Sequence, residues 1–240
     1  MKNTNFILKT LKTTLIFSGL QLLCNYSYAN DINYNNYKDI HNYVLKEAKG
    51  LMQEYKNSKP LEAEIFDSTD DSIKSFLQGT SQIKADNLLA IQYFPKLAVN
   101  GSEMSFCFLF YDSKKNIFQQ YKESVKMSED EILQYLTWHE MGHCFAKHEG
   151  FNINPKTNEF IADAFAMSIA INKQQTKLPT KIIKFINTLD TNDIHSNKNE
   201  LEKFLIAVLD GNIFNKKLSV NEIINIIKYY QEHSSLVGYK

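Results

Sequence analysis

Arginine is absent from the 240 residues, so all 27 basic side chains are lysine. No guanidinium fork is then available to clamp a substrate carboxylate or carbonyl through two parallel hydrogen bonds. Net charge is missing too: 27 acidic residues balance the lysines, for a formal total of zero. No strong field of one sign directs the chain to nucleic acid or to an anionic membrane surface. Long apolar runs are also lacking, and the N-terminal stretch Leu15–Leu23 is interrupted by Ser18, Gly19 and Gln21. It falls well short of the ~20 apolar residues that span a bilayer. Cysteine is scarce, at positions 24, 107 and 144 only. Neither a repeat nor a low-complexity linker divides the chain, and its length suits a single domain.

Residues 1–29 have the pattern of an export signal. Lys2, Lys9 and Lys12 precede the short apolar stretch, and Ser27-Tyr28-Ala29 offers a small-x-small cleavage site. The expectation is cleavage after Ala29, leaving residues 30–240 as one domain, periplasmic or secreted, with no stable membrane anchor. Cys24 follows Leu23, where a lipobox has a small residue, so lipidation is not expected. Cys107 and Cys144 then remain as the thiols, and an oxidising compartment would permit one bridge between them.

Hydrophobic periodicity organises the remainder. Ile40, Val44, Leu45, Ala48, Leu51 and Met52 recur at helical spacing between Tyr37 and Tyr55. A shorter helix is expected around Asp71–Leu77. From Asn87 to Lys122 the texture changes to short apolar and aromatic runs, Leu88–Phe94, Phe106–Tyr111 and Ile117–Tyr121, punctuated by Pro95, Asn100-Gly101 and Asp112–Asn116. The last two runs predict an antiparallel hairpin across that polar loop. Phe106–Tyr111 has the composition of a core strand, although a substrate-facing edge strand would look similar. Ser128 with Glu131 forms a capping-box signature, starting a helix that runs to about Lys147 and stops before Gly150. Another helix is expected over about Asn158–Asn172. Further helical patterns cover Ile182–Leu189, Leu201–Leu209 and Val220–Tyr230, the last introduced by Ser219 and Glu222.

His139-Glu140-Met141-Gly142-His143 is an HExxH pattern. On a helix, imidazoles four residues apart stand one turn apart and can address one metal ion, with the glutamate projecting beside it. Chance supplies the pattern about 0.01 times in a chain of this composition. A catalytic zinc site takes three protein ligands and keeps a fourth position open. Glu159 and Asp163 lie four residues apart on the next predicted helix, where Ala162, Ala166 and Ala170 are small enough to let the two helices press together. Glu159 is the preferred third ligand; the spacing also permits Asp163 in its place. Cys144 points about 100° away from His143 and suits burial or a bridge.

HExxH followed by a helix bearing ExxxD resembles the gluzincin branch of the zincin metallopeptidases over roughly Leu133–Ile171. Glu159–Ala166 is also similar to a stretch of compact bacterial metallopeptidase-like proteins. The resemblance implies an α+β, zincin-like fold: a small antiparallel or mixed sheet packed on the active-site helix, with a largely helical C-terminal part. It implies that His139, His143 and Glu159 bind Zn2+, that Asp163 accepts a hydrogen bond from a ligating histidine, His139 above all, and that Glu140 is the catalytic base. The related metzincin pattern would put its third histidine where Glu149 stands, with a glycine at Ala146, so it fits less well. Next to it, His148 is a further competitor for the third ligand position.

The expected activity is hydrolysis of peptide bonds in a peptide or protein substrate. Zinc activates water, and Glu140 takes its proton and passes it to the leaving amine. Alternative readings are a zinc-binding interaction module derived from a peptidase, and an amide or ester hydrolase of the cell envelope. Tyr93, His195, His233 and Tyr239 are conceivable donors to an oxyanion; His195 lies in a polar loop that favours solvent. No nucleic-acid partner is expected, and no feature sets an oligomeric state.

Overall fold

Ile40, Val44, Ala48 and Leu51, all buried, make one apolar face of the first described helix, α1 (Tyr37–Glu54). The computed structural model describes residues 37–55, 60–67, 70, 71, 73, 89–99, 102–111, 125–151, 154–188 and 198–237. Among the described residues, three strands follow, β1 (Leu61–Asp67), β2 (Leu89–Val99) and β3 (Ser102–Tyr111), then five longer helices. These are α2 (Glu129–His148), α3 (Pro155–Asn172), α4 (Leu178–Ile186), α5 (Lys198–Asp210) and α6 (Val220–Val237). The molecule is therefore α+β, with helix dominating its C-terminal half. Among the described residues, no helix is long and apolar enough to cross a membrane.

The sheet has the order β1-β3-β2, with β1 parallel to β3 and β2 antiparallel to it. It is mixed, so the purely antiparallel form of the expectation is corrected. In β1, Ala63 and Ile65 are buried while Glu62 is exposed. That alternation places one strand face on the core. β3 is the central strand, and Phe106, Cys107, Phe108, Leu109, Phe110 and Tyr111 are all buried. Its aromatic content therefore belongs to the core, and an edge role for it is corrected.

The expected hairpin between Phe106–Tyr111 and Ile117–Tyr121 also needs correction. Both edges of β3 are occupied from Phe106 to Tyr111, by β1 and by β2, so neither backbone edge is left there for a third strand. Residues 117–121 themselves lie outside the described residues, as does most of Asp71–Leu77. The hairpin that forms instead joins β2 to β3, with Val99 facing Ser102 across the Asn100-Gly101 pair. β2 also runs through Pro95, with a register irregularity between Phe94 and Leu97. Proline lacks the N–H a ladder needs, and an edge strand with a bulge accommodates it.

α2 is the spine of the molecule. Ser128 accepts a hydrogen bond from the Glu131 amide at 3.2 Å, and Glu131 accepts from the Ser128 amide at 2.8 Å, completing the capping box. Burial opposes ionisation of Glu131, but Lys181 and Ser128 hold its carboxyl below the ordinary range. At the other end Gly150 adopts φ +71°, a left-handed conformation that glycine takes without steric cost. The Gly150 amide reaches Lys147 O and the Phe151 amide reaches Ala146 O, a Schellman closure. Between these ends nearly every side chain is buried, from Ile132 and Leu133 through Trp138 and Met141 to Phe145 and Ala146. The helix therefore lies in the interior, with His139, Glu140 and His143 buried along with its apolar side chains. Here α1, β2 and β3 pack on one side of α2 and α3 on another, and α3 in turn carries α4, α5 and α6.

Two close connections fix α2. Cys107 of β3 and Cys144 of α2 form a disulfide, with Cα atoms 6.0 Å apart. Closing a loop of sequence separation 37 contributes about 4 kcal/mol on the chain-entropy account. On the opposite side, α3 comes so near that a Cβ built on Gly142 would lie 2.9 Å from Ala162 Cα and 3.1 Å from Phe165 Cβ. Backbone cannot give way there as a flexible side-chain end would. Gly142→Ala is therefore expected to force the helices apart and to destabilise the fold by about 1–3 kcal/mol. Thermal unfolding measures the effect, and an unchanged midpoint would mean that the seam relaxes at no cost.

Candidate metal centre

His139 and His143 sit one turn apart on α2 and both face α3. The α3 terminus is set by Asn154, whose side chain accepts from the Thr157 amide at 2.9 Å, and by Pro155 in the first helical position. The helix thus starts earlier than about Asn158. Asn154 performs the capping, so Glu159 is more than a turn inside the helix. Ala162, Ala166 and Ala170 are wholly buried. Alanine at these positions and glycine at 142 bring α3 close enough for Glu159 and Asp163 to reach the histidines.

Three ligand atoms meet at one corner. His139 Nε2 and His143 Nε2 are 3.1 Å apart, and Glu159 Oε2 lies 3.2 Å from the first and 3.4 Å from the second. Tetrahedral zinc with ligands at about 2.0–2.1 Å would space its donors by about 3.3 Å. The corner therefore has the dimensions of one face of such a tetrahedron. Among the described residues, His139, His143 and Glu159 are the group of acidic, histidine or cysteine side chains that could hold a metal ion, and all three are buried.

The charges around the corner also suit a cation. Asp163, with no exposure, receives His139 Nδ1 at 2.7 Å on its Oδ1. With Nδ1–H donated to the carboxylate, the Nε2 lone pair is left to face the corner. Burial works against a charge on His139, yet Asp163 and then Glu159 overcome it and hold the imidazole well above its usual range. Surroundings that favour a proton on this ring favour a metal ion at the same place. Glu140 follows His139 directly and is buried, 9 % exposed. On a helical wheel it lies about 60° from His143.

Asp163 contacts the Nδ1 side of His139, away from Nε2, and lies outside the three-atom corner. Glu149, in the metzincin-like position, accepts a hydrogen bond from Tyr55 instead. His148 stands nine residues from His139, about half a turn around the helix, and its Nδ1 is 3.1 Å from the Tyr93 hydroxyl. Tyr93 also donates to Ser105 at 3.3 Å. Its hydroxyl is thus engaged on the side of α2 that β2 packs against. His233 is bonded through Nδ1 to Tyr229 O of its own helix at 2.8 Å. His195 and Tyr239 lie outside the described residues. Sequence reasoning missed Tyr135, which donates to Asp163 Oδ1 at 2.8 Å. The signal was present, since Tyr135, His139 and His143 share one helix face at successive turns.

Compared with models of protein families, with curated proteins and with solved structures, the chain matches none. The likeness to gluzincins accordingly rests on the motif residues.

Proposed function

We propose that this chain is a zinc-dependent hydrolase, a gluzincin-like metallopeptidase acting on peptides or proteins after export from the cytoplasm. The observation that carries the reading is the corner of two imidazole nitrogens and one carboxylate oxygen, spaced 3.1, 3.2 and 3.4 Å, with a buried glutamate between the histidines in sequence. A donor set of two histidines and one carboxylate is a common catalytic zinc set, leaving a position open. His139, His143 and Glu159 would hold the ion. When bound, zinc supplies Lewis acidity, polarising a carbonyl and making water acidic near neutral pH.

The protein side chains have separate tasks. Asp163 fixes the tautomer and orientation of His139. Glu140 accepts the proton of the attacking water and delivers it to the leaving amine, so one carboxylate serves as base and then as acid.

Elemental analysis of the purified full-length chain, paired with digestion of a mixed peptide library, tests this reading. One zinc per chain together with cleavage is expected. No metal after zinc supplementation would overturn it, and bound zinc without hydrolysis of any peptide would favour an interaction module.

A further inference from the structure

We infer that Tyr135 is a positioning residue for the metal centre, acting on the ligand His139 through Asp163. The inference rests on the zinc reading above and extends it to a side chain outside the HExxH and ExxxD patterns.

Asp163 Oδ1 receives two donors, His139 Nδ1 at 2.7 Å and the Tyr135 hydroxyl at 2.8 Å. Its other oxygen, Oδ2, is buried with no hydrogen-bond partner among the described residues. A carboxylate with no solvent exposure depends on its donors to remain an effective acceptor. Tyr135 therefore supplies a large share of what holds the Asp163 carboxylate aimed at Nδ1. The tyrosine is itself constrained: it is 4 % exposed, and its ring meets the His139 ring edge-on at 5.7 Å and that of Phe185 at 6.4 Å. One residue thus walls the imidazole with its ring and braces the carboxylate with its hydroxyl. The relay runs from α2 to α3 and back to α2, so it also keys the two helices into the register that brings Glu159 to the corner.

Tyr135→Phe keeps the ring and removes the hydroxyl. Its expected effect is an about ten-fold weaker affinity for zinc, as for loss of a partner behind a ligand. Competition with a chromophoric chelator measures this directly. The cobalt(II)-loaded protein should also show altered d–d absorption, a signature that a purely structural role would not move. Coupling gives the decisive comparison. If the hydroxyl acts through Asp163, Tyr135→Phe should cost almost nothing further in an Asp163→Ala background, whereas independent effects would add.

Circular dichroism and thermal unfolding of the metal-free proteins establish that each variant folds. Wild-type zinc affinity in Tyr135→Phe, or full additivity with Asp163→Ala, would overturn the inference and leave the zinc reading standing. Failure of Tyr135→Phe to fold would overturn it too, assigning the hydroxyl to the fold. Absence of zinc binding by the wild type would remove the reading on which it rests.

Discussion

Glu140→Gln is expected to lower peptide hydrolysis by about 10²–10⁴-fold, the contribution of a positioned general base and acid, while zinc content stays at one per chain. Glutamine has nearly the same size and can still donate and accept hydrogen bonds, so the buried site should tolerate it. What it lacks is a lone pair basic enough to take a proton from water. The drop should fall on kcat and on kcat/KM together, because the lost interaction belongs to the transition state. Retained turnover with zinc bound would sink the assignment of Glu140. Loss of zinc would instead make Glu140 a ligand, although the group able to hold an ion is His139, His143 and Glu159.

The second large effect concerns Glu159. Glu159→Ala removes one of the three corner atoms and should weaken zinc binding by more than the ~10–100-fold typical of partners that stand behind a ligand. Glu149→Ala provides the comparison, since Glu149 is a carboxylate of the same α2–α3 connection but is engaged by Tyr55. It should leave zinc content untouched. Equal zinc loss in both variants would show that nonspecific acidity, and not the corner, attracts the ion. Equal retention would move the third ligand elsewhere, with Asp163 the next to test. Isothermal titration of the metal-free proteins with zinc gives both affinities on one scale.

Much of this arrangement was legible because helices announce themselves locally. The capping boxes at Ser128 and Ser219 formed where the residues required. At the latter, bonds from the Ser219 amide and hydroxyl, with help from Lys216, hold the Glu222 carboxyl at about 2. The two-helix site also followed from local rules: four-residue spacing sets which side chains share a face, and small residues mark where helices meet. Sheet pairing was less legible, because it depends on partners far apart in sequence. β1 escaped notice because its apolar positions, Leu61, Ala63 and Ile65, are few and interleaved with Glu62 and Glu64. Its parallel pairing to β3, which made the Ile117–Tyr121 hairpin impossible for that strand, leaves no mark in either segment alone. The disulfide could be named as a possibility from two cysteines, but its formation depends on the β3–α2 approach. Tyr135 was missed for a different reason: a tyrosine at helical spacing has the pattern of any core aromatic until its hydroxyl is seen to have a carboxylate in reach.

The corner is assembled from one stretch of chain. His139, His143, Glu159 and the bracing Asp163 and Tyr135 all come from two successive helices joined by the short segment between His148 and Pro155. Closing so short a loop costs little chain entropy, whereas β1 must find β3 across a much longer span. The helical pair, like the β2–β3 hairpin, is thus a local unit able to form early, with β1 joining the sheet over a longer span. A metal ion bound by that pair would act as a template for folding as well as a reagent for chemistry, since its three ligands come from these two helices alone.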